Sequence, residues 1–258
     1  LARVNVETDL AAAARSAREL AELAMEEHRR VDAVAYLSEA VGWLERMPQT
    51  PWPELIDCLT ELSMARRLAY GQLKGEPDAV RALHLADTHL DASDELRVKA
   101  RLRLARVRRI RSDRDRYESA RRLLREAAEL FDRLPEPSVD LVRAYRAVTA
   151  GFIGAEGDRP TAMRMFLDLI EYCEQSYGPR HRWTLSNIED AAYQAIRAWD
   201  GQTAIRLRRL ALARRIEASG MKGALQTASV RNDLAYTLLI YGGPEALPEA
   251  ELLLADAQ

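Results

Sequence analysis

The stretch DRYESARRLLREA, residues 115–127, sets an alanine, a leucine four positions on and a second alanine after seven on one helical face. These are Ala120, Leu124 and Ala127. Read outward, the first alanine returns at Ala33, Ala79, Ala162, Ala204 and Ala250, so that successive members lie 46, 41, 42, 42 and 46 residues apart. The companions return too, as Ala33/Leu37/Ala40, Ala79/Leu83/Ala86, Ala162/Phe166/Leu169 and Ala250/Leu254/Ala257. Self-similarity at such a period marks a stack of helical repeats. Two helices approach closely only where their facing side chains are small, which gives the alanine its place at a crossing and the bulky residue the gap beside it. After Ala204 the pattern slips: Arg208 stands where the bulky residue belongs, with Leu207 one place off.

Composition agrees. Of 258 residues, 48% are hydrophobic and 30% charged, with sparse Gly and Pro and a preponderance of strong helix formers. Turn residues fall between apolar helical patterns: Pro48 to Pro51, Gly75 to Pro77, Asp91 to Asp94, Pro135 to Ser138, Gly157 to Pro160, Gly178-Pro179, Asp200-Gly201, Ser219-Gly220 and Gly242 to Pro244. They predict about twelve helices in six hairpins, over 7–28 with 30–47, 52–73 with 77–91, 94–112 with 116–134, 138–156 with 159–177, 182–199 with 201–219, and 224–242 with 246–258. Asp94 and Ser138 are expected N-caps. The fold class expected is all-α, a right-handed α-solenoid of about six antiparallel hairpins, forming one domain over 1–258 cut from a larger protein.

The net charge of −2 argues against a generic binder of polyanions. No apolar run is long enough to cross a bilayer, and a cytoplasmic location is expected. Cys58 and Cys173 lie in apolar helical contexts and read as buried thiols. The sequence holds no glycine-rich phosphate loop, no Gly-x-Ser-x-Gly elbow and no His-Glu-x-x-His. His84 and His89 are five residues apart, about 140° around a helix, so they share no metal-binding face. Neither a catalytic set, a metal site nor a cofactor is expected. Trp43, Trp52, Trp183 and Trp199 read as packing between helices.

One stretch is electrically lopsided. Arg97 to Arg125 holds thirteen basic residues against Asp113, Asp115 and Glu118. Lys99, Arg103, Arg106 and Ile110 share a face opposite Leu96, Ala100, Leu104 and Val107. Three readings stand side by side: a face neutralised by acids of neighbouring helices, a groove for an acidic peptide or chain-terminal carboxylate, and a nucleic-acid patch.

The alanine positions resemble the tetratricopeptide repeat (TPR). Leu20-Ala21 and Ala191-Ala192 fit its small pair on the first helix, thirteen residues before Ala33 and Ala204. Tyr117 falls where the family has an aromatic, three residues before the alanine. The 42-residue spacing is similar to the kinesin-light-chain-like variant common in bacterial signalling proteins. So are Gly178-Pro179-Arg180-His181-Arg182-Trp183-Thr184-Leu185, after its Gly-x-x-His-x-x-Thr-Leu signature, and Asn232-Asp233-Leu234-Ala235. The second repeat lacks a convincing small pair. Repeats two, three and six carry about three extra residues in the first helix or its turn.

The resemblance implies a non-catalytic scaffold or sensor domain that binds a protein or peptide along a concave face lined by the first helices. By register, that face carries Lys99, Arg103 and Arg106 in repeat three, Tyr193 and Arg197 in repeat five, and Asn232 and Tyr236 in repeat six. An acidic peptide is the expected ligand. The alternatives are a nucleic-acid-binding regulator acting through 97–125 and a module that self-associates through the ends of the stack.

Overall fold

The structure is a computed structural model that describes the backbone of residues 2–219 and 224–256 and the side chains of residues 9–218 and 227–256. Among these residues it contains twelve α-helices and no strand: α1 (Ala2–Glu26), α2 (Arg30–Glu45), α3 (Trp52–Tyr70), α4 (Glu76–His89), α5 (Glu95–Arg108), α6 (Arg114–Phe131), α7 (Val139–Glu156), α8 (Arg159–Tyr177), α9 (Arg182–Arg197), α10 (Gly201–Ser219), α11 (Ala224–Tyr241) and α12 (Leu247–Ala255). They pack in consecutive hairpin pairs. The ends follow local chemistry. Asp94 accepts from the Leu96 amide at 2.8 Å and Ser138 Oγ from the Leu141 amide at 3.3 Å. Asp113, Asp158 and Asp200 cap α6, α8 and α10 in the same way. The expected turn at Gly220 and the terminal rung Ala257 lie outside the described residues.

All six ladder alanines are fully buried, at 0% exposure. Their companions Leu37, Phe166 and Leu169 are buried with them, as are Ala40, Ala86 and Ala127. The last rung is weaker, because Leu254 is 40% exposed. At the slipped rung Arg208 does take the bulky place. Its stem is buried and its guanidinium reaches Asp233 of α11 at 2.9 Å, so an aliphatic chain serves as filler and its charge escapes to the rim.

The extra residues of repeats two, three and six lie in turns rather than in longer first helices. Repeat two inserts a 3-10 turn at Gln72–Gly75 and repeat six another at Pro244–Ala246. In repeat three α5 has only 14 residues, and the extra length forms the turn 109–113. The crossing partner moves back to match. Ala105 and Ala235 lie fifteen residues before Ala120 and Ala250, against twelve between Ala150 and Ala162 or Ala192 and Ala204, and all are fully buried.

Internal contacts gather into two compact units, Leu1–Ala144 and Tyr145–Gln258, divided within α7. The first is built on Ala24, Leu37, Ile56, Leu59 and Ala100. The second is built on Phe166, Leu169, Ile188 and Val230, with a further cluster around Leu234 and Leu238. Trp43, Trp52 and Trp183 pack against these cores as expected. Trp199 does not. It follows α9 with a left-handed backbone (φ 62°) that turns its ring outward, leaving it 81% exposed.

His181 holds the start of α9 by accepting from the Trp183 amide through Nδ1 at 3.3 Å. His181→Asn, which keeps an acceptor at the cap, should leave stability near the parent value in urea unfolding. His181→Ala should lower it by about 1 kcal/mol.

Candidate functional site

The arginine-rich segment splits into two populations. Arg97 and Arg101 of α5 both reach Asp87 on α4, at 3.0 and 2.8 Å, and Arg101 also lies 3.4 Å from Glu126 of α6. Arg108 and Arg116 converge on Glu76, at 2.7 and 3.3 Å, and Arg116 also pairs with Asp113. Arg121 and Arg122 sit near Glu118 and Glu126 within α6. Acids of the neighbouring helices thus absorb much of the charge of 97–125.

Lys99, Arg103 and Arg106 are different. They project from α5 on the side away from α4 and α6, half-buried, and none has a carboxylate partner among the described residues. The opposite face of α5 is buried through Ala100, Leu104 and Val107. Ile110, expected on the basic face, lies past the end of α5 in the turn.

Arg103 is the centre of this group. Its Nε is shielded from solvent and meets no acceptor. Its Nη2 points at the Met64 thioether of α3, 3.7 Å away, a weak acceptor. Burial depresses its pKa well below the usual guanidinium range, and the positive charges of Arg106, Arg67 and Arg143 push it further down. Glu61 of α3 is the carboxylate that opposes them. That acid is already shared, because Arg18 of α1 binds both its oxygens at 2.9 and 3.3 Å. The positive charges that act on Arg103 thus come from α3, α5 and α7.

Sequence reasoning missed Arg67 and Arg143. Each lies on the first helix of the adjoining repeat, 36 residues before and 40 after Arg103. Scanning for arginine one repeat away in both directions would have found them.

In the second unit the expected residues are open to solvent. Tyr193 is 52% and Tyr236 67% exposed, and Arg197 and Asn232 are exposed as well. The carbonyl of Arg197 is occupied by Arg159 Nη1. Tyr236 continues along α11 into Leu239 and Ile240, about half exposed.

The nucleophile candidates are quiet. Both cysteines are buried. Burial pushes the Cys58 thiol up to about 12, which removes the thiolate that reactivity needs. Asn187 donates to Cys173 Sγ at 3.2 Å. Among the described residues there is no cluster of His, Cys, Asp or Glu that could hold a metal, and no helix long and apolar enough to cross a membrane.

No protein-family model and no curated protein sequence matches the chain. Solved structures do. BtubC (BKLC) from P. vanneervenii aligns over 98% of this chain and 89% of its own, with a TM-score of 0.56 at 18% identity. Nearly identical TPR-like repeats of kinesin-light-chain type from Podosopora anserina align over 80% of this chain and 96% of theirs, with a TM-score of 0.47 at 16% identity. By ladder, hairpins and structural likeness, this chain is a helical-repeat protein with a TPR-like fold.

Proposed function

We propose that the chain is a non-catalytic interaction module of a cytoplasmic bacterial regulatory protein, docking an acidic segment of a partner on the face that carries Lys99, Arg103 and Arg106. The observation that supports this reading is Arg103: a shielded guanidinium whose strongest electrical neighbours are other arginines. An uncompensated charge held away from water is costly. A carboxylate-bearing ligand supplies the missing partner through paired N–H donors. In the second unit, Tyr193, Arg197, Asn232 and Tyr236 are assigned to contacts with the same class of partner. Asn232 offers amide donors and an acceptor to an extended backbone. A nucleic-acid reading keeps less support, because Arg97, Arg101, Arg108 and Arg116 are engaged with carboxylates.

Isothermal titration of the whole chain with short Asp/Glu-rich peptides tests the assignment. Replacing Arg103 and Arg106 together by glutamate should weaken binding by on the order of tenfold to a hundredfold, as expected for lost charge-assisted hydrogen bonds. Unchanged affinity would sink it.

A further inference from the structure

We infer that Tyr193 of α9 and Tyr236 of α11 are the platform for a proline-rich segment of a partner in the polyproline II conformation, with proline at every third residue and an acid beside one of them. This assignment rests on the reading above that these side chains meet a partner, and it adds the chemistry of the segment that the second unit holds.

The two tyrosines stand at one level of the second unit. Each follows the fully buried crossing alanine of its own first helix, Ala192 on α9 and Ala235 on α11. The C-terminal ends of the two helices are tied together. Tyr241 Oη donates to the Ile196 carbonyl at 3.3 Å, and Gly201 leaves room for the Tyr241 ring, which an added Cβ would meet at 2.5 Å. Both Tyr193 and Tyr236 are more than half exposed, and neither hydroxyl meets a partner among the described residues.

Each helix continues this surface in steps of one turn. On α11 Asn232 precedes Tyr236 and Ile240 follows it, and on α9 Glu189 precedes Tyr193 and Arg197 follows it. The acids nearby are engaged, Glu189 with Arg215 at 2.7 Å and Asp233 with Arg208 at 2.9 Å. Arg197 is exposed, and its guanidinium meets no carboxylate among the described residues. The surface therefore offers two aromatic rings, one aliphatic side chain and one open positive charge.

Dimensions choose the ligand. Packed helices lie about 8–10 Å apart, and a side chain of α11 reaches the backbone of α9. A polyproline II chain advances about 3.1 Å per residue with three residues per turn, so every third side chain points the same way at intervals of about 9 Å. A segment crossing the two helices sets one pyrrolidine ring against each tyrosine. Its backbone has no internal hydrogen bonds, and the two hydroxyls and the Asn232 amide are donors placed around the crossing. Such a chain is ordered before it binds, so little conformational entropy is lost. An amphipathic helix lays an unbroken apolar face into its groove, which Asn232 and Arg197 interrupt here. Charge complementarity adds the acid, because a carboxylate beside a proline pairs with Arg197.

Titration calorimetry on the whole chain tests this with four short peptides. The first has proline at every third position beside one glutamate. The others replace its prolines by alanine, set its prolines two residues apart, or replace its glutamate by lysine. The first should bind at least about tenfold tighter than the alanine and two-residue versions. Tyr193→Ala and Tyr236→Ala should each weaken it by on the order of tenfold, as expected for an aromatic anchor, with the circular dichroism of the parent retained. Arg197→Glu should turn the preference from the glutamate to the lysine peptide. Equal affinity for the proline and alanine peptides, or a proline preference that survives loss of both tyrosines, overturns the polyproline assignment. Asp/Glu-rich peptides that still bind would then leave acidic docking standing, whereas failure of both classes of peptide overturns both readings. A preference for glutamate that survives Arg197→Glu overturns the placement of the acid. Self-association of the chain alone in light scattering, lost with the two tyrosines, overturns the partner-borne source in favour of this chain's own Pro48-Gln49-Thr50-Pro51. Tighter binding of a single-stranded oligonucleotide or of an amphipathic helical peptide overturns the ligand class.

Discussion

Gly75→Ala lowers the stability of the chain by about 1–3 kcal/mol, and Gly42→Ala raises it. The two substitutions are chemically identical and both glycines have right-handed helical surroundings. Gly75 ends the 3-10 turn with φ −88° and ψ −4°, angles that alanine adopts freely. On backbone grounds alone the change should stabilise by about 0.4–1 kcal/mol through a stiffer unfolded chain. Sterics decide otherwise. A Cβ at Gly75 would sit 2.1 Å from the Ser63 carbonyl oxygen and 3.0 Å from its Oγ. Ser63 is fully buried on α3, and its hydroxyl donates to the Gly75 carbonyl at 2.8 Å. The obstacle is backbone, so no rotamer change relieves it. α3 and the turn must separate, breaking that hydrogen bond and opening the crossing at Ala79. At Gly42, within α2, the nearest atom to an added Cβ is Arg46 Nη2 at 3.6 Å, an ordinary contact with a flexible tip. There the helix preference of alanine, up to about 1 kcal/mol, acts alone. Urea unfolding of both variants reads the difference as midpoints displaced in opposite directions. A rise for both would show that Ser63 and Gly75 do not meet at this crossing.

Gly75 also shows how far the sequence could be read. The ladder was legible because close packing of two helices is a local demand, met by a small residue at a fixed place in each hairpin. The small pair of repeat two was not legible. Its insertion places the close approach at Ser63, and the compensating small residue comes from the turn as Gly75. The thirteen basic residues of 97–125 were equally plain in the sequence, but their division was not. Neutralisation of Arg108 depends on Glu76, 32 residues away, and that of Arg18 on Asp57 and Glu61, 39 and 43 away. Such pairings are set by which helix faces which, and periodicity within one helix carries no record of them. Trp199 escaped for another reason. Its exposure follows from one left-handed residue at the end of α9, a conformation that a sequence rich in helix formers does not announce.

Arg103→Met should raise the stability of the first unit, by on the order of 1–4 kcal/mol, the range seen when buried ionic groups give way to apolar ones of similar size. The sign is opposite to that of most core substitutions, and it follows from the neighbours. Methionine keeps the length and apolar stem of arginine and can rest against Met64 where the guanidinium now lies 3.7 Å from its sulfur. It removes a charge that burial and three arginines already penalise. It also leaves no acid stranded, since Glu61 keeps Arg18 and a two-fifths exposed side chain. Arg208→Met is the control. Arg208 is more deeply placed than Arg103, but it gives up a 2.9 Å pair with Asp233, whose side chain is 54% exposed and returns to water. That change should stay within about 1 kcal/mol. Urea unfolding separates the two as midpoints displaced by different amounts. A loss of stability in Arg103→Met would mean that the arginine is a strut satisfied within the fold. A gain would identify it as a charge kept, against the interest of the fold, for something that binds.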